Sequence, residues 1–236
     1  LSHAAPAVMS GRVQLDTTAN FVSEDGPAAA DLRIDASITG GNQLRKQGAG
    51  TLLLTGSNTF SGEMGIQTGT LAIGASAFLA SPVYRLTSGA TLDVSAASGW
   101  TVNPGQALVG GGTVVGGVIA RSGSVIRAGG LGLAETLTFA NDLGLQAGST
   151  FGFDLTDVPA VGGGTNDLVV VAGRLEPSNT VVVINPLKPL GTGTYTLVTH
   201  DGTKTTFFNP VVQGNGSRQG WTLDESTVPT VIALVV

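Results

Sequence analysis

Residues 44–74 read LRKQGAGTLLLTGSNTFSGEMGIQTGTLAIG. Leu52 and Leu54 fall on one face of an extended chain and Thr51, Leu53 and Thr55 on the other, while Gly48, Gly50 and Gly56 bracket the run. Alternation with a period of two between glycines predicts a short strand between turns. The pattern resumes after the polar corner Ser57-Asn58-Thr59: Phe60 returns to an apolar position, Gly62 and Gly65 allow another bend, and Ile66, Leu71 and Ile73 follow around Gly69. The stretch therefore folds back and forth without offering a helix. Leu52, Leu54, Ile66, Leu71 and Ile73 are expected to point into the core.

The phrase returns in looser form as Gly69-Thr70-Leu71, Gly89-Ala90-Thr91-Leu92, Gly123-Ser124-Val125-Ile126 and Gly148-Ser149-Thr150-Phe151. Irregular repeats of a few tens of residues are what a solenoid leaves in a sequence, because each coil repeats its turn and tolerates loop insertions. Composition agrees: 36 glycines, 11% charged and 5% aromatic residues suit strands and tight turns better than helix bundles. From Asp167 the strands lengthen in Leu168-Val169-Val170-Val171 and Val181-Val182-Val183-Ile184, with Glu176-Pro177-Ser178-Asn179 separating them. Pro186, Pro189, Pro210 and Pro229 are read in breaks between strands, where a missing ladder donor costs least.

Lys46-Gln47-Gly48-Ala49-Gly50-Thr51-Leu52, continued through Asn58-Thr59-Phe60-Ser61-Gly62 to Gly69-Thr70-Leu71, resembles the autotransporter-associated β-strand repeat of bacterial secreted passenger proteins. The segment Asp31 to Gly40 extends the resemblance backwards, and Asp167 to Gly173 with Gly193-Thr194-Tyr195-Thr196-Leu197-Val198 resembles the ends of such passengers. One departure is Glu63-Met64-Gly65-Ile66, where the family usually has a Gly-Thr-Thr-Val-like strand; a change in the local turn is expected there. The resemblance implies a right-handed parallel β-helix whose coils stack in register, in an exported bacterial protein.

Little in the chain points to chemistry. With 16 acidic and 11 basic residues the net charge is −5, and no Lys/Arg run appears, which argues against nucleic-acid and anionic-membrane partners. The absence of cysteine excludes disulfides and thiolate metal sites. Apolar runs such as Leu168 to Ala172 are too short for a membrane helix. His3 and His200 lack convergent partners and are read as surface histidines. No G-D-S-G nucleophile segment occurs, and the Gly110 to Gly117 run lacks the lysine of a phosphate loop, so it is read as strand corners. The loop Gly162-Gly163-Gly164-Thr165-Asn166-Asp167 is one imperfect copy of a calcium repeat that needs neighbouring copies. Asp31, Asp35, Asp93, Asp154 and Asp157 are the acids that alignment on adjacent coils could pair, each alone in its strand or turn. Phe60, Phe151, Phe153, Trp100 and Trp221 are expected to fill or cover the coil interior.

The expectation is an all-β, right-handed parallel β-helix with little or no helix. One domain spans residues 1–236, with N-terminal coils at 1–43, repeat-bearing coils at 44–165, and further coils or a β-rich cap at 166–236. About ten coils at a strand spacing near 4.8 Å make a rod of about 50 Å. The expected role is that of a non-enzymatic structural module, without cofactor, secreted or at the bacterial cell surface. Its partners would be flanking coils of a longer chain or further copies joined head to tail into a fibre, without membrane insertion. The charge-free run Val231, Ile232, Ala233, Leu234, Val235 and Val236 is the candidate self-association strand. Two alternatives are a glycan- or host-binding adhesin segment and a β-helical polysaccharide lyase or hydrolase.

Overall fold

The computed structural model describes residues 5–201, 204, 211–214, 221–225 and 230–236. Every helical or extended element among them is a β-strand or bridge, so none is a helix that could cross a membrane. The chain falls into two compact units, one built from residues up to Trp100 together with Gly112–Gly116, the other from Thr101–Gly111 and the residues from Gly117 onward.

In the first unit the chain visits three stacks of parallel strands in turn. One stack holds Ala19–Val22, Leu44–Gln47, Met64–Ile66 and Val83–Leu86. The second runs from Ala7–Met9 through Leu32–Ile34, Thr51–Leu54, Thr70–Ile73 and Thr91–Asp93 to Thr113–Val115. The third is built of short pairs, Arg12–Leu15 on Ser37–Gly40 and Ser57–Asn58 on Phe78–Leu79. Leu44 pairs with Met64 and Met64 with Tyr84, so a coil takes 20 residues. This is a three-sided β-solenoid.

Alternation fixes which side chains enter it. Leu52 pairs with Leu71 and Leu71 with Leu92, and Leu54 pairs with Ile73, forming aliphatic ladders along the stack. Leu52, Leu54, Ile66, Leu71 and Ile73 are all at most 1% exposed. Burying one such side chain contributes roughly 1.5–3 kcal/mol. The ladders thus multiply a modest gain by the number of coils.

The second unit uses the same plan with longer coils. Ala107–Gly110, Val125–Ala128, Thr150–Leu155, Val181–Pro186 and Val211–Gly214 stack in parallel. Val118–Ala120, Leu143–Leu145 and Leu175–Pro177 form another stack, and Thr136–Phe139, Leu168–Val171 and Thr194–His200 a third. A coil grows from 18 residues (Ala107 to Val125) to 25 (Val125 to Thr150) and 31 (Thr150 to Val181). Two proline readings change. Pro177 closes the strand Leu175–Pro177 and Pro186 closes Val181–Pro186, because the last residue of a strand can forgo a ladder donor. Pro210 and Pro229 lie outside the described residues.

The third stack of this unit ends in a cap. Val231–Val235 runs antiparallel to Thr194–His200 on one side and to Thr222–Asp224 on the other. Ile232, Ala233 and Leu234 are at most 4% exposed. The run from Val231 to Val236 therefore does not present the free edge expected of a self-association strand: one edge pairs with Thr194–His200, and Ala233, Leu234 and Val235 pair with Thr222–Asp224 on the other.

Candidate functional site

The signature residues around Lys46 build corners. Lys46 sits inside the coil, 0% exposed, and its Nζ donates to the carbonyls of Gln47 (2.8 Å), Gly48 (2.7 Å) and Thr68 (3.2 Å). Three ammonium protons meet three carbonyls on two successive coils, which satisfies a buried cation without a salt bridge. Burial pulls Lys46 below the usual lysine range, against the carboxylates of Glu24 and Asp31. Asn58 bridges coils in the same way: its Nδ2 donates to Gly56 O (2.9 Å) and its Oδ1 accepts from Ile38 N (3.3 Å). The glycines between them let backbones touch. A Cβ on Gly56 would lie 2.2 Å from Ala36 O, and one on Gly62 would lie 2.2 Å from Asn42 O.

Outside the same coils lies a polar sheet face. Arg45 pairs with Gly65 and Gly65 with Arg85, so two guanidinium groups flank a residue without a side chain. Arg45 donates to Gln43 Oε1 at 3.0 Å, and Arg85 grips Glu63 through Nε (3.0 Å) and Nη2 (3.3 Å). In the neighbouring column Gln47 Nε2 donates to Gln67 Oε1 at 2.6 Å. Sequence reading missed this face because its arginines stand 40 positions apart, two coils of 20. The departure Glu63-Met64-Gly65-Ile66 therefore changes the outward face of an in-register strand, with Met64 and Ile66 pointing inward at 0% exposed.

The second unit carries a buried acid pair. Asp154, 0% exposed, accepts from Arg127 Nη1 (2.9 Å), Asn185 Nδ2 (2.9 Å) and Gly132 N (2.5 Å). Asp167 is equally buried and accepts from the backbone N–H groups of Glu135 (2.9 Å) and Asp154 (2.7 Å). Those two donors favour the carboxylate, but burial outweighs them, Asp154 adds repulsion, and Asp167 is pushed up to about 8. Asn166 closes the adjoining loop, accepting from Thr156 N (2.7 Å) and donating to Val158 O (2.8 Å) and Ala160 O (2.9 Å). The glycines of the calcium-like segment, Gly162, Gly163 and Gly164, all have positive φ, while its Asn166 and Asp167 are spent on backbone groups. No group of three or more metal-ligating side chains occurs among the described residues.

The remaining expected residues are likewise placed by structural bonds. Asp31 accepts from Gly26 N (2.8 Å) and Thr51 N (2.7 Å), tying a loop to a strand start. Asp35 accepts from Arg33 and from Thr55 Oγ1, whose hydrogen bond, ahead of the guanidinium, lowers its pKa. Asp93 caps Ser95 N at 2.9 Å, and Asp157 faces Lys188 at 3.5 Å. Phe60, Phe151 and Phe153 are fully buried, Trp100 packs edge-on against Tyr84 with ring centroids 5.2 Å apart, and Trp221 is half-buried. His200 corrects the surface reading: it is 6% exposed on a paired strand, and burial, reinforced by Lys204, lowers its pKa. His3 lies outside the described residues.

A family model described as passenger-associated-transport-repeat matches residues 44–73. A curated relative, the adhesin BmaC autotransporter of Brucella suis biovar 1 (strain 1330), is 42% identical over 86 residues. That match covers 34% of this chain and 2% of the relative, so the chain spans a small fraction of that protein's length. The matched repeat is the segment whose lysine, glycines and asparagine form the stacked corners described above. Residues 44–73 thus match the passenger-associated-transport-repeat, and the chain is similar over 86 residues to an autotransporter adhesin.

Proposed function

We propose that this chain is a non-enzymatic module of an exported bacterial passenger, a β-solenoid that holds an outward face at the cell surface for adhesion. The observation that carries the reading is the Lys46 corner: an ammonium spent wholly on carbonyls of stacked coils is a device for rigidity. The printed name of the relative, an adhesin, supports the extracellular setting and the adhesive role. Against the lyase or hydrolase alternative, each of Asp31, Asp35, Asp93, Asp154 and Asp157 is held by its own cation, backbone or hydroxyl partners.

The test is made in cells that carry the natural passenger. Antibodies to this segment should label intact cells, and excising its coding region should lower attachment. Replacing it with an unrelated solenoid of equal length separates two roles. Restored attachment would make the segment a spacer, whereas persistent loss would assign adhesion to its own surface. Head-to-tail assembly belongs to the same proposal as a secondary reading, without support from Val231–Val235. A sedimentation coefficient that rises with concentration would favour it.

A further inference from the structure

We propose that the groove on the outward face of the Val118–Ala120, Leu143–Leu145 and Leu175–Pro177 stack binds a neutral hexopyranose glycan, with the C–H face of one sugar ring on Ile119 and its hydroxyls on Glu176, Gln146 and Ser178.

The groove follows from strand register. Ile119 pairs with Gly144 and Gly144 with Glu176, so this column carries a side chain on either side and none in the middle. The alternate residues Leu143, Leu145 and Leu175 point inward, at most 1% exposed, while Gly144 is only half-buried. Its φ is not positive, and an added Cβ would meet only Ile119 Cγ1 at 3.7 Å and Val118 O at 3.9 Å, both ordinary contacts. A glycine inside a strand weakens it. Here it leaves an open groove of about 560 Å³ lined by Ile119, Gly144, Gln146, Glu176 and Ser178 among others. Small-ligand sites occupy roughly 300–1,000 Å³, and the two walls stand two strands apart, about 9.6 Å at the usual spacing.

Charge selects the ligand class. Glu176 Oε1 accepts from Arg174 Nη1 at 3.0 Å, which holds the carboxylate and leaves its second oxygen for a hydroxyl. Asp142 and Arg174 precede two of the strands and Arg121 follows the third, so with Glu176 two acids stand against two bases. That balance favours an uncharged ligand over a polyanion or a basic peptide. Ile119 offers only apolar contact, whereas a carboxylate, an amide and a hydroxyl together supply acceptors and donors. Such a set matches a sugar ring, apolar on one face and ringed by hydroxyls.

The rim is fixed from inside the coil. Ser149 Oγ donates to Gln146 O (2.7 Å), Gly148 N to Asn179 O (3.2 Å) and Thr180 Oγ1 to Leu145 O (3.4 Å), with Ser149 and Thr180 both 0% exposed. Asn179, φ 46°, is the one non-glycine residue of positive φ among the described residues and turns the chain directly after Ser178. The turns that present Gln146 and Ser178 are therefore tied to each other, and a rim already ordered loses little freedom on binding.

This proposal rests on the display reading above, yet it is tested on the purified chain, so either can fail alone. Isotope-labelled chain is titrated with cellohexaose, chitohexaose and a β-linked galactohexaose, and with hexalysine and polygalacturonate as charged probes, while backbone amide shifts are followed by NMR. At least one neutral sugar should bind saturably and move the amides of Gly144, Gln146 and Ser178. Gly144→Val, which fills the groove and keeps the charge, should weaken that binding about tenfold or more. Gln146→Ala with Ser178→Ala should weaken it about fivefold. Glu63→Gln, on another sheet, should leave it intact. Thermal unfolding confirms that each variant is folded, and Gly144→Ala serves if the valine variant is not. Absent shifts with all three neutral sugars, shifts confined to another face, tighter binding of hexalysine or polygalacturonate, or indifference to the filled groove would each overturn the site.

Discussion

The coils around Lys46 and those around Asp154 solve one problem, a buried corner, by opposite means. At Lys46 the coil is 20 residues long, and corners close through backbone contact at Gly56 and Gly62, with one ammonium bridging carbonyls. At Asp154 and Asp167 the coils reach 31 residues, and the insertions are tied down by carboxylates accepting backbone N–H groups. Short corners leave carbonyls pointing inward and need a donor. Long loops leave N–H groups unpaired and need acceptors. The buried polar group thus follows the kind of backbone group left to pair, a donor where carbonyls face inward and an acceptor where N–H groups do.

Several substitutions would break or sharpen this contrast, the largest first. Leu54→Ala empties a fully buried ladder position and should cost about 3–4 kcal/mol in chemical denaturation. A loss well under 1 kcal/mol would mean that the ladder does not hold the corner. Gly56→Ala forces a methyl into Ala36 O and should cost about 3 kcal/mol, a penalty that an equally small change at Gly65 should not show. Lys46→Met keeps the length of the side chain but takes the ammonium from three carbonyls; Gln47 O keeps Ser23 N and Gly48 O keeps Thr68 Oγ1, so the expected loss is about 1–2 kcal/mol, chiefly from Thr68 O. If that variant proved more stable, the ammonium would be dispensable to the corner.

The acid side of the comparison is read through pH. Asp167 is raised from 3.8 to about 8, so between those values the folded chain holds a proton that the unfolded chain has released. Its contribution to stability is therefore fully present below pH 3.8 and is lost as pH rises through about 8. Asp167→Asn should cost about 1–2 kcal/mol at pH 5, because its amide NH2 would face a backbone N–H, and the gap from wild type should narrow toward pH 9. Urea melts of both proteins at the two pH values check this, and a gap that widens would reverse the assignment. The smallest effect is a gain: Gly65→Thr, whose Cβ would make only ordinary contacts, should stabilise the strand by about 0.5 kcal/mol in the same urea melts.

Much of the first unit was legible because its determinants are local. Alternation placed Leu52 and Leu54 on one side, and glycines at fixed offsets marked corners before any coil was stacked. The role of Lys46 was not legible, since a lysine beside glycines looks like a solvated turn residue until a second coil brings Thr68 O within 3.2 Å. The role of Asp167 was not legible from its calcium-like segment or from the strand phrase that it opens, because the N–H of Glu135 that it accepts from lies 32 positions away. Val231–Val235 read as a free edge because strand propensity says nothing about partners.

By itself the sequence determined that this chain forms short strands in a stacked solenoid, because alternation and glycine spacing act over a few residues and repeat. Only the tertiary structure decided which polar side chains meet. It placed Gly65 between Arg45 and Arg85, brought Asp167 to Asp154 N, and paired Ala233–Val235 on both edges. Those contacts depend on the register in which the strands pair, since a slip of one residue in a pairing would turn that strand's side chains to the opposite face, while the loops between strands absorb changes in coil length.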